Sequence, residues 1–519
     1  MNVKEQGLIT STIILTFTSF FTRTLNMISI VFLSNMLGSE GMGLYHLIVS
    51  FYMIAIVFAS AGLSTSVSKV VAEELGQKHL HNVSRVMHVA LSFSVILSFL
   101  VGTAFFWLAP FIATNFVQDE RAILSLRILS LSIPFIACSS CFKGYFYATK
   151  KASLPASSEM IEQVVKVGLT LLILSLKHTS NQVYTYGLIG LCLTIGEVVS
   201  WSSLLSLYIL SRKRVSYTIE RPSSSKDLFS RLLKVALPIA AISYVSCIFV
   251  SAENILIPSG LRKYGESSAV SLSLYGMLKG MVIPILFFPS AFLTAFSTTL
   301  IPEIAKANIL KQKKRVNYTV NKVIQFTFML SLFAASLFIN YADEIGLVLY
   351  HNKQIGKMLR ILALIVPFMY VEVVTDGILK GLGKQVSCLK YSIFDTLFRI
   401  TTIYFFLPIK GISSFIGIMI ISNIMTSTLN FNKLLDSTKL KVQVSNWILK
   451  PLLAALGGAT FSKLILNLCF HYNLATTPIL ILALILSSLI YLLLLFIIDC
   501  LRKEDFIKLT TLLHPSYEE

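Results

Sequence analysis

Fourteen charged side chains sit inside long apolar stretches of this 519-residue chain, and their types and spacing point to chemistry. The cations are Arg23, Arg127, Lys166, Lys279, Arg360, Arg399 and Lys463; the acids are Glu159, Glu162, Glu197, Glu253, Glu372, Asp376 and Asp395. A charge facing hydrocarbon costs at least roughly 2.5 to 3.5 kcal/mol, so each should face protein or water instead. Deep cations suit an anionic ligand, while acids beside them either neutralise them or carry a coupling ion. Glu162 with Lys166, and Asp395 with Arg399, are spaced i, i+4 and share a helix face. Each pair either makes insertion tolerable by local neutralisation or lines a polar cavity whose charges exchange partners during transport. Arg23 has no carboxylate within a turn, so its counter-charge must come from a distant acid such as Glu253 or from an anionic substrate. Guanidinium can grip a phosphate at two points.

The head-group candidates are therefore Arg23, Lys166, Lys279 and Arg399, with Arg127 and Arg360 added although both lie near segment ends where snorkelling is easier. Glu162, Glu253, Glu372, Asp376 and Asp395 are the coupling or charge-pair candidates. No residue has a catalytic role in this reading. No metal site is expected either, because Cys138 and Cys141 lack a second cysteine or histidine pair and the seven cysteines are scattered.

The elements that must position these charges are membrane helices. Hydrophobic residues make up 55% of the chain and charged residues 13%, with a mean hydropathy of +0.76. At about 20 apolar residues per span, the pattern predicts fourteen spanning segments, the first over 8–37 and the last over 477–500. The first reads as a membrane helix rather than a removable signal peptide, having no small-residue cleavage site. The longest connections, 211–234 and 301–319, are too short and basic for a catalytic domain.

A net charge of +19 raises the question of nucleic acid, but its distribution answers it. Even-numbered connections carry Lys69, Lys78 and Arg85, then Lys143, Lys150 and Lys151, then Lys213, Arg214, Arg221 and Arg231, then Lys306, Lys311, Lys313, Lys314 and Arg315. Odd-numbered ones are sparse. The positive-inside rule then places both termini in the cytoplasm of a multi-pass cell-membrane protein, with anionic lipid as a weak partner and no role for nucleic acid.

A duplication organises the segments. LRILSLSIPF, 126–135, returns as LRILALIVPF, 359–368, with seven of ten residues identical and an arginine seven residues before a proline in both. Leu44 and Tyr45 are matched by Leu274 and Tyr275 at nearly the same offset. Six segments separate the copies, so the halves have the same orientation and form a parallel repeat with a substrate path between two bundles. The expected lobes are 1–215 (segments 1 to 6) and 216–440 (segments 7 to 12), with 441–519 adding two helices and a cytoplasmic tail.

On these residues the chain resembles a known family. FKGYFYATKKASLPASSEMIEQVVKV (142–167), TRTLN around Arg23 followed by LGSEGMGLY, SAENILIPSGLRKYG (251–265), and LYGMLKGMVIPILFFPSAF leading into LIPEIAKA (300–307) are similar, in order, to polysaccharide-type flippases of the multidrug/oligosaccharidyl-lipid/polysaccharide (MOP) exporter superfamily, in their stage V sporulation protein B-like branch. The resemblance covers essentially the whole chain. It implies an all-α, MATE/MOP-like fold of two six-helix lobes plus two carboxyl-terminal helices, working by alternating access. It also implies a polyprenyl-pyrophosphate-linked sugar as substrate, serving spore cortex or another envelope polysaccharide, with a cationic cavity for the head group and a groove beside the last two helices for the tail. Arg23 matches a motif arginine of the wider group. Ser29 and Ile30 stand where lipid II flippases carry a second arginine and an acid, Lys143 where arginine is common, and Glu253 where aspartate is common.

Competing readings are weaker. GILKGLGKQ, 377–385, has the wrong glycine spacing for a phosphate-binding loop and no serine or threonine after its lysine, which removes an ATPase. A membrane glycosyltransferase or polymerase would need catalytic carboxylates on a substantial loop, whereas Asp119, Glu120, Asp343 and Glu344 sit on short ones. A drug or cation antiporter of the same superfamily is the strongest competitor, and a non-transporting scaffold the third class. Gly276 and Gly280 form a GxxxG expected to mark close helix packing. No resident cofactor is expected; coupling to Na+, H+ or membrane potential stays open. A monomer is expected, with cell-wall synthesis enzymes as candidate partners.

Overall fold

A computed structural model describes residues 3–77, 79–176, 182–212, 224–469 and 477–500, with side chains from Phe17 onward except at 80, 212, 295–303, 466 and 468–469. Lys78, Lys177, Lys213, Arg214, Arg221 and the carboxyl-terminal tail lie outside the described residues. All regular structure among those described is helical.

Contacts divide the chain into two compact units. The first comprises Met1–Gly280 with Arg399–Ile412, the second Met281–Phe398 with Ser413–Glu519. These boundaries follow spatial contact and differ from the sequence repeat.

The first unit opens with α1 (Val3–Ser60), α2 (Leu63–Gly76), α3 (Leu80–Ile112), α4 (Ala122–Ser130) and α5 (Ile133–Ala148). It continues with α6 (Ser153–Leu176), α7 (Gln182–Arg212), α8 (Ser225–Tyr264) and α9 (Ser268–Tyr275), the last running into a π-helical stretch, Gly276–Val282. Two prolines explain two of its irregularities. Pro134 has no N–H for the carbonyl of Ser130, and α4 and α5 meet at a 43° bend just before it. Pro284 likewise leaves the Gly280 carbonyl without its usual donor, next to the π-helical turn that carries Lys279. Gly38 interrupts α1 with φ +70°, a left-handed conformation that glycine adopts without a side-chain penalty.

The second unit contains α10 (Ile283–Phe287), α11 (Ser290–Ile309), α12 (Lys313–Asn340), α13 (Ala342–Tyr350), α14 (Lys353–Leu362) and α15 (Val366–Gly381). The first part of α16 (Gln385–Lys410), α17 (Ile412–Thr438), α18 (Lys450–Cys469) and α19 (Thr477–Ile497) complete it. The second repeat copy breaks like the first, as a 3-10 turn at Ala363–Ile365 ahead of Pro367. Hydroxyl groups fasten α18 and α19 to α12: Ser336 donates to the Ala455 carbonyl at 2.7 Å and Tyr491 to that of Met329 at 2.8 Å. The Tyr341 hydroxyl lies 2.6 Å from Ser462 and 3.2 Å from Ser487. The outer face of α19, with Ile481, Leu489, Leu493 and Ile497 exposed, is apolar enough to meet lipid.

Among the described residues eleven helices are long and apolar enough to cross a membrane, or twelve counting α4 and α5 as one bent span. The count of fourteen is not reproduced by that measure. The first two expected segments, which meet at the Gly38 kink, count there as one long helical stretch, and α6 carries Glu159, Glu162 and Lys166, which lower its hydropathy. The membrane-helical class itself is plain.

Candidate functional site

Two partly buried ion clusters account for most of the intramembrane charge in the first unit. In one, Lys166 on α6 donates to Glu162 one turn earlier and to Glu197 on α7, each at 2.6 Å. The i, i+4 pair expected from the sequence is therefore present, with Glu197 added from the neighbouring helix. Lys143 on α5 pairs with Glu159 on α6 at 2.7 Å. Gly196 makes room for the Lys166 stem, since a Cβ there would lie 2.7 Å from its Cε.

The other cluster inverts this arrangement. Glu253 on α8 accepts from Lys279 Nζ at 2.9 Å and also from Arg399, on the part of α16 belonging to this unit. Its side chain is only 4% exposed, so a lone carboxylate there would be costly and the two cations offset that cost. Arg399 thus reaches a partner far along the chain, while Asp395 accepts from the Ser422 hydroxyl.

Lys279 also forms part of the wall of a cavity of about 580 Å³. His46, Ser50, Ser246, Asn254 and Tyr275 contribute polar groups to the lining, and Met53, Ile242 and Val250 contribute exposed apolar surface. The geometry has a clear chemical consequence. Two cations meet on one carboxylate beside a space large enough for a small polar group, an arrangement that suits an anion.

The remaining candidates are dispersed. Arg23 is exposed on α1 and has no hydrogen-bond or ion-pair partner among the described residues. Its proposed neutraliser, Glu253, is instead engaged by Lys279 and Arg399, which corrects that expectation. Arg127 lies 5.2 Å over the Phe106 ring, a cation–π contact, whereas Arg360 pairs with Asp343 at 2.6 Å. Asp376 pairs locally with Lys380 at 2.6 Å, and Glu372 is half-buried on the same helix. Lys463 pairs with Glu344 at 3.0 Å and donates to the Asn340 carbonyl, a structural role that ties α18 to the start of α13.

Sequence reasoning did not anticipate two further ion clusters. Arg121 binds Asp119 and Glu40, both at 2.6 Å, and donates to Gln182; its bonds to the Asp119 carboxylate hold the guanidinium pKa above its ordinary value. Arg231 joins Glu74 at 2.5 Å and Glu73 at 2.8 Å, with Asn82 donating to Glu74 at 2.9 Å. Among the described residues no group of three or more His, Cys, Asp or Glu is arranged to hold a metal.

A family model described as "Polysaccharide biosynthesis protein" matches residues 8–308, more than half the chain. The chain belongs to the polysaccharide biosynthesis protein family. Within this family member a MatE model also matches, over residues 271–405. Stage V sporulation protein B of Bacillus subtilis (strain 168) is 23% identical over 77% of this chain and 78% of its own. Sporulation protein YkvU of the same organism is 25% identical over 76% of this chain and 86% of its own. Lipid II flippase MurJ of that organism is 22% identical over 61% of each. A solved lipid II flippase MurJ in an inward closed conformation shares the fold with a TM-score of 0.71, at 17% identity over 94% of this chain and 100% of that one. An inward-facing multidrug resistance MATE family transporter of the MOP superfamily has a TM-score of 0.61, at 19% identity over 81% of this chain and 96% of that one. With eleven or twelve helices among its described residues able to cross a membrane, this family member is a multi-pass membrane protein that shares the fold of those two structures.

Proposed function

We propose that the chain is a flippase moving a lipid-linked sugar, with an anionic polyprenyl-pyrophosphate head, across the cell membrane by alternating access of two lobes. The observation that carries this reading is the pairing of both Lys279 and Arg399 with the carboxylate of Glu253 beside the cavity. A phosphate group entering there meets cations already in place, which offsets its desolvation. The exposed apolar rim of Met53, Ile242 and Val250 suits a ligand whose tail stays in lipid. Arg23, without a partner among the described residues, is the second head-group candidate. The relatives named for sporulation and for lipid II flipping support a cell-envelope glycan as cargo. Both termini are assigned to the cytoplasm from the distribution of basic residues, and the protein is taken to act as a monomer.

The test is movement of a defined polyprenyl-pyrophosphate disaccharide across vesicles containing the purified protein, with and without pH, Na+ and voltage gradients. Transport that vanishes in Lys279→Met and Arg399→Met supports the reading. Unchanged transport in both variants removes these residues from it. One observation favours a second reading: the two carboxylates on Lys166 leave local negative charge, as a cation or drug antiporter would need. Efflux of a cationic dye without lipid movement would select that alternative.

A further inference from the structure

We propose that Arg127 binds an anionic membrane phospholipid, holding its phosphate at the rim where α3 meets α4, a site separate from the cavity and independent of the flippase reading. The two copies of LRILxLxxPF treat their arginines differently. In the second copy Arg360 donates to Asp343 at 2.6 Å and to the Ile339 carbonyl at 3.3 Å, so its charge is met within the chain. In the first copy the Arg127 side chain makes no hydrogen bond or ion pair among the described residues. It lies over the Phe106 ring, 5.2 Å from the centroid. A ring face attracts the cation yet accepts no strong hydrogen bond, so the guanidinium donors stay unspent. Of its three nitrogens only Nε is both shielded and unpartnered, which leaves the two terminal nitrogens open at the surface.

That surface is apolar toward one side and polar toward the other. Along α3 the exposed side chains Ile96, Phe99, Leu100, Trp107 and Phe111 recur at helical spacing, and exposed Thr114, Asn115 and Gln118 follow them. The change from hydrocarbon to water therefore falls near the end of α3. Trp107, 73% exposed, sits close to it, at the depth where an amphipathic indole is favoured. Trp107 meets Phe106 edge-on at 6.1 Å between centroids, and Arg127 lies over Phe106, so the cation shares that depth. On α4, Leu131 is exposed one turn beyond Arg127 on the same face, so this face meets lipid too. From there a long arginine side chain reaches the head-group layer, where a phosphate can accept two of its bonds. A zwitterionic head group would bring an ammonium as well, and no carboxylate pairs with Arg127 to receive it. An anionic one such as phosphatidylglycerol brings the phosphate without a second cation.

The test reads lipid contact at Trp107 in vesicles containing the full-length protein, by quenching of tryptophan fluorescence with brominated lipid. Trp107→Phe is measured alongside to subtract Trp201 and Trp447, the other two tryptophans. Brominated phosphatidylglycerol in phosphatidylcholine, and the reverse labelling, give the relative binding constant of the two lipids at this rim. Wild type should favour phosphatidylglycerol at least about fivefold, equivalent to about 1 kcal/mol. Arg127→Gln should bring the ratio close to one, and Arg127→Lys, which keeps the charge without the two-point grip, should keep part of the preference. Arg360→Gln should leave it unchanged. A ratio of one in wild type overturns the proposal, as does a preference that survives in full in Arg127→Gln. An equal loss in Arg360→Gln also overturns it, since the effect is then not local to this rim. A preference abolished by excess inorganic phosphate, but not by chloride at the same ionic strength, assigns the site to a free anion and overturns the lipid.

Discussion

The two partly buried charge clusters of the first unit combine cations and carboxylates in opposite proportion. Lys166 holds two carboxylates, Glu162 and Glu197, whereas the carboxylate of Glu253 holds two cations, Lys279 and Arg399. Carboxylates outnumber the cation in the first grouping and cations outnumber the carboxylate in the second, which also has a member, Lys279, in the wall of the large cavity. Counting intramembrane charges over the chain misses this, since seven acids balance seven cations. Sign at a binding site depends on which charges share a partner.

The comparison can be broken most forcefully at its two centres. Glu253→Ala removes the carboxylate that Lys279 and Arg399 share, and removing one partner of a buried pair costs about 3 to 5 kcal/mol. Its folded yield and thermal unfolding temperature in detergent should fall sharply; near-wild-type stability would show that water already screens the cluster. Lys166→Met should be similarly damaging, because it leaves Glu162 and Glu197 together.

Removing one excess charge from each centre sharpens the contrast. Lys279→Met should cost about 1.5 to 3 kcal/mol of head-group affinity, the range for a charged hydrogen bond, with assembly retained because Arg399 still balances Glu253. Glu197→Gln leaves Lys166 with one ionised partner and should change the affinity for polyprenyl pyrophosphate less than twofold. Equal losses of affinity in the two variants would erase the functional distinction between the clusters.

Smaller effects are expected away from both. Arg231→Ala removes the bonds to Glu73 and Glu74 but leaves Asn82 on the buried Glu74, so a loss of about 1 to 2 kcal/mol is expected by chemical denaturation. Arg360→Gln breaks a pair whose side chains are 45% and 46% exposed. That change should stay within about 1 kcal/mol, detectable as a shift in thermal unfolding that disappears at high salt.

Much of this organisation was legible along the chain. LRILSLSIPF and LRILALIVPF marked a duplication, and both copies do break just before their prolines, because a missing N–H interrupts a helix wherever it occurs. The environments of their arginines were not legible: Arg127 lies over Phe106 and Arg360 on Asp343, partners set by packing. The Glu162 and Lys166 pair could be read because i, i+4 spacing is a property of one helix. The packing of Gly280 against His46 was not legible, because a GxxxG does not say which residue faces it.

Composition and spacing alone determined that this is a helical membrane protein built on a repeat, and which charges lie within its spans. Those are sums and periods along one strand of sequence. The tertiary structure decided which carboxylate each cation meets. Lys279 finds Glu253 at a separation of 26 residues, Lys166 finds Glu197 at 31 and Arg399 finds Glu253 at 146, and electrostatic attraction depends on distance in space rather than along the chain.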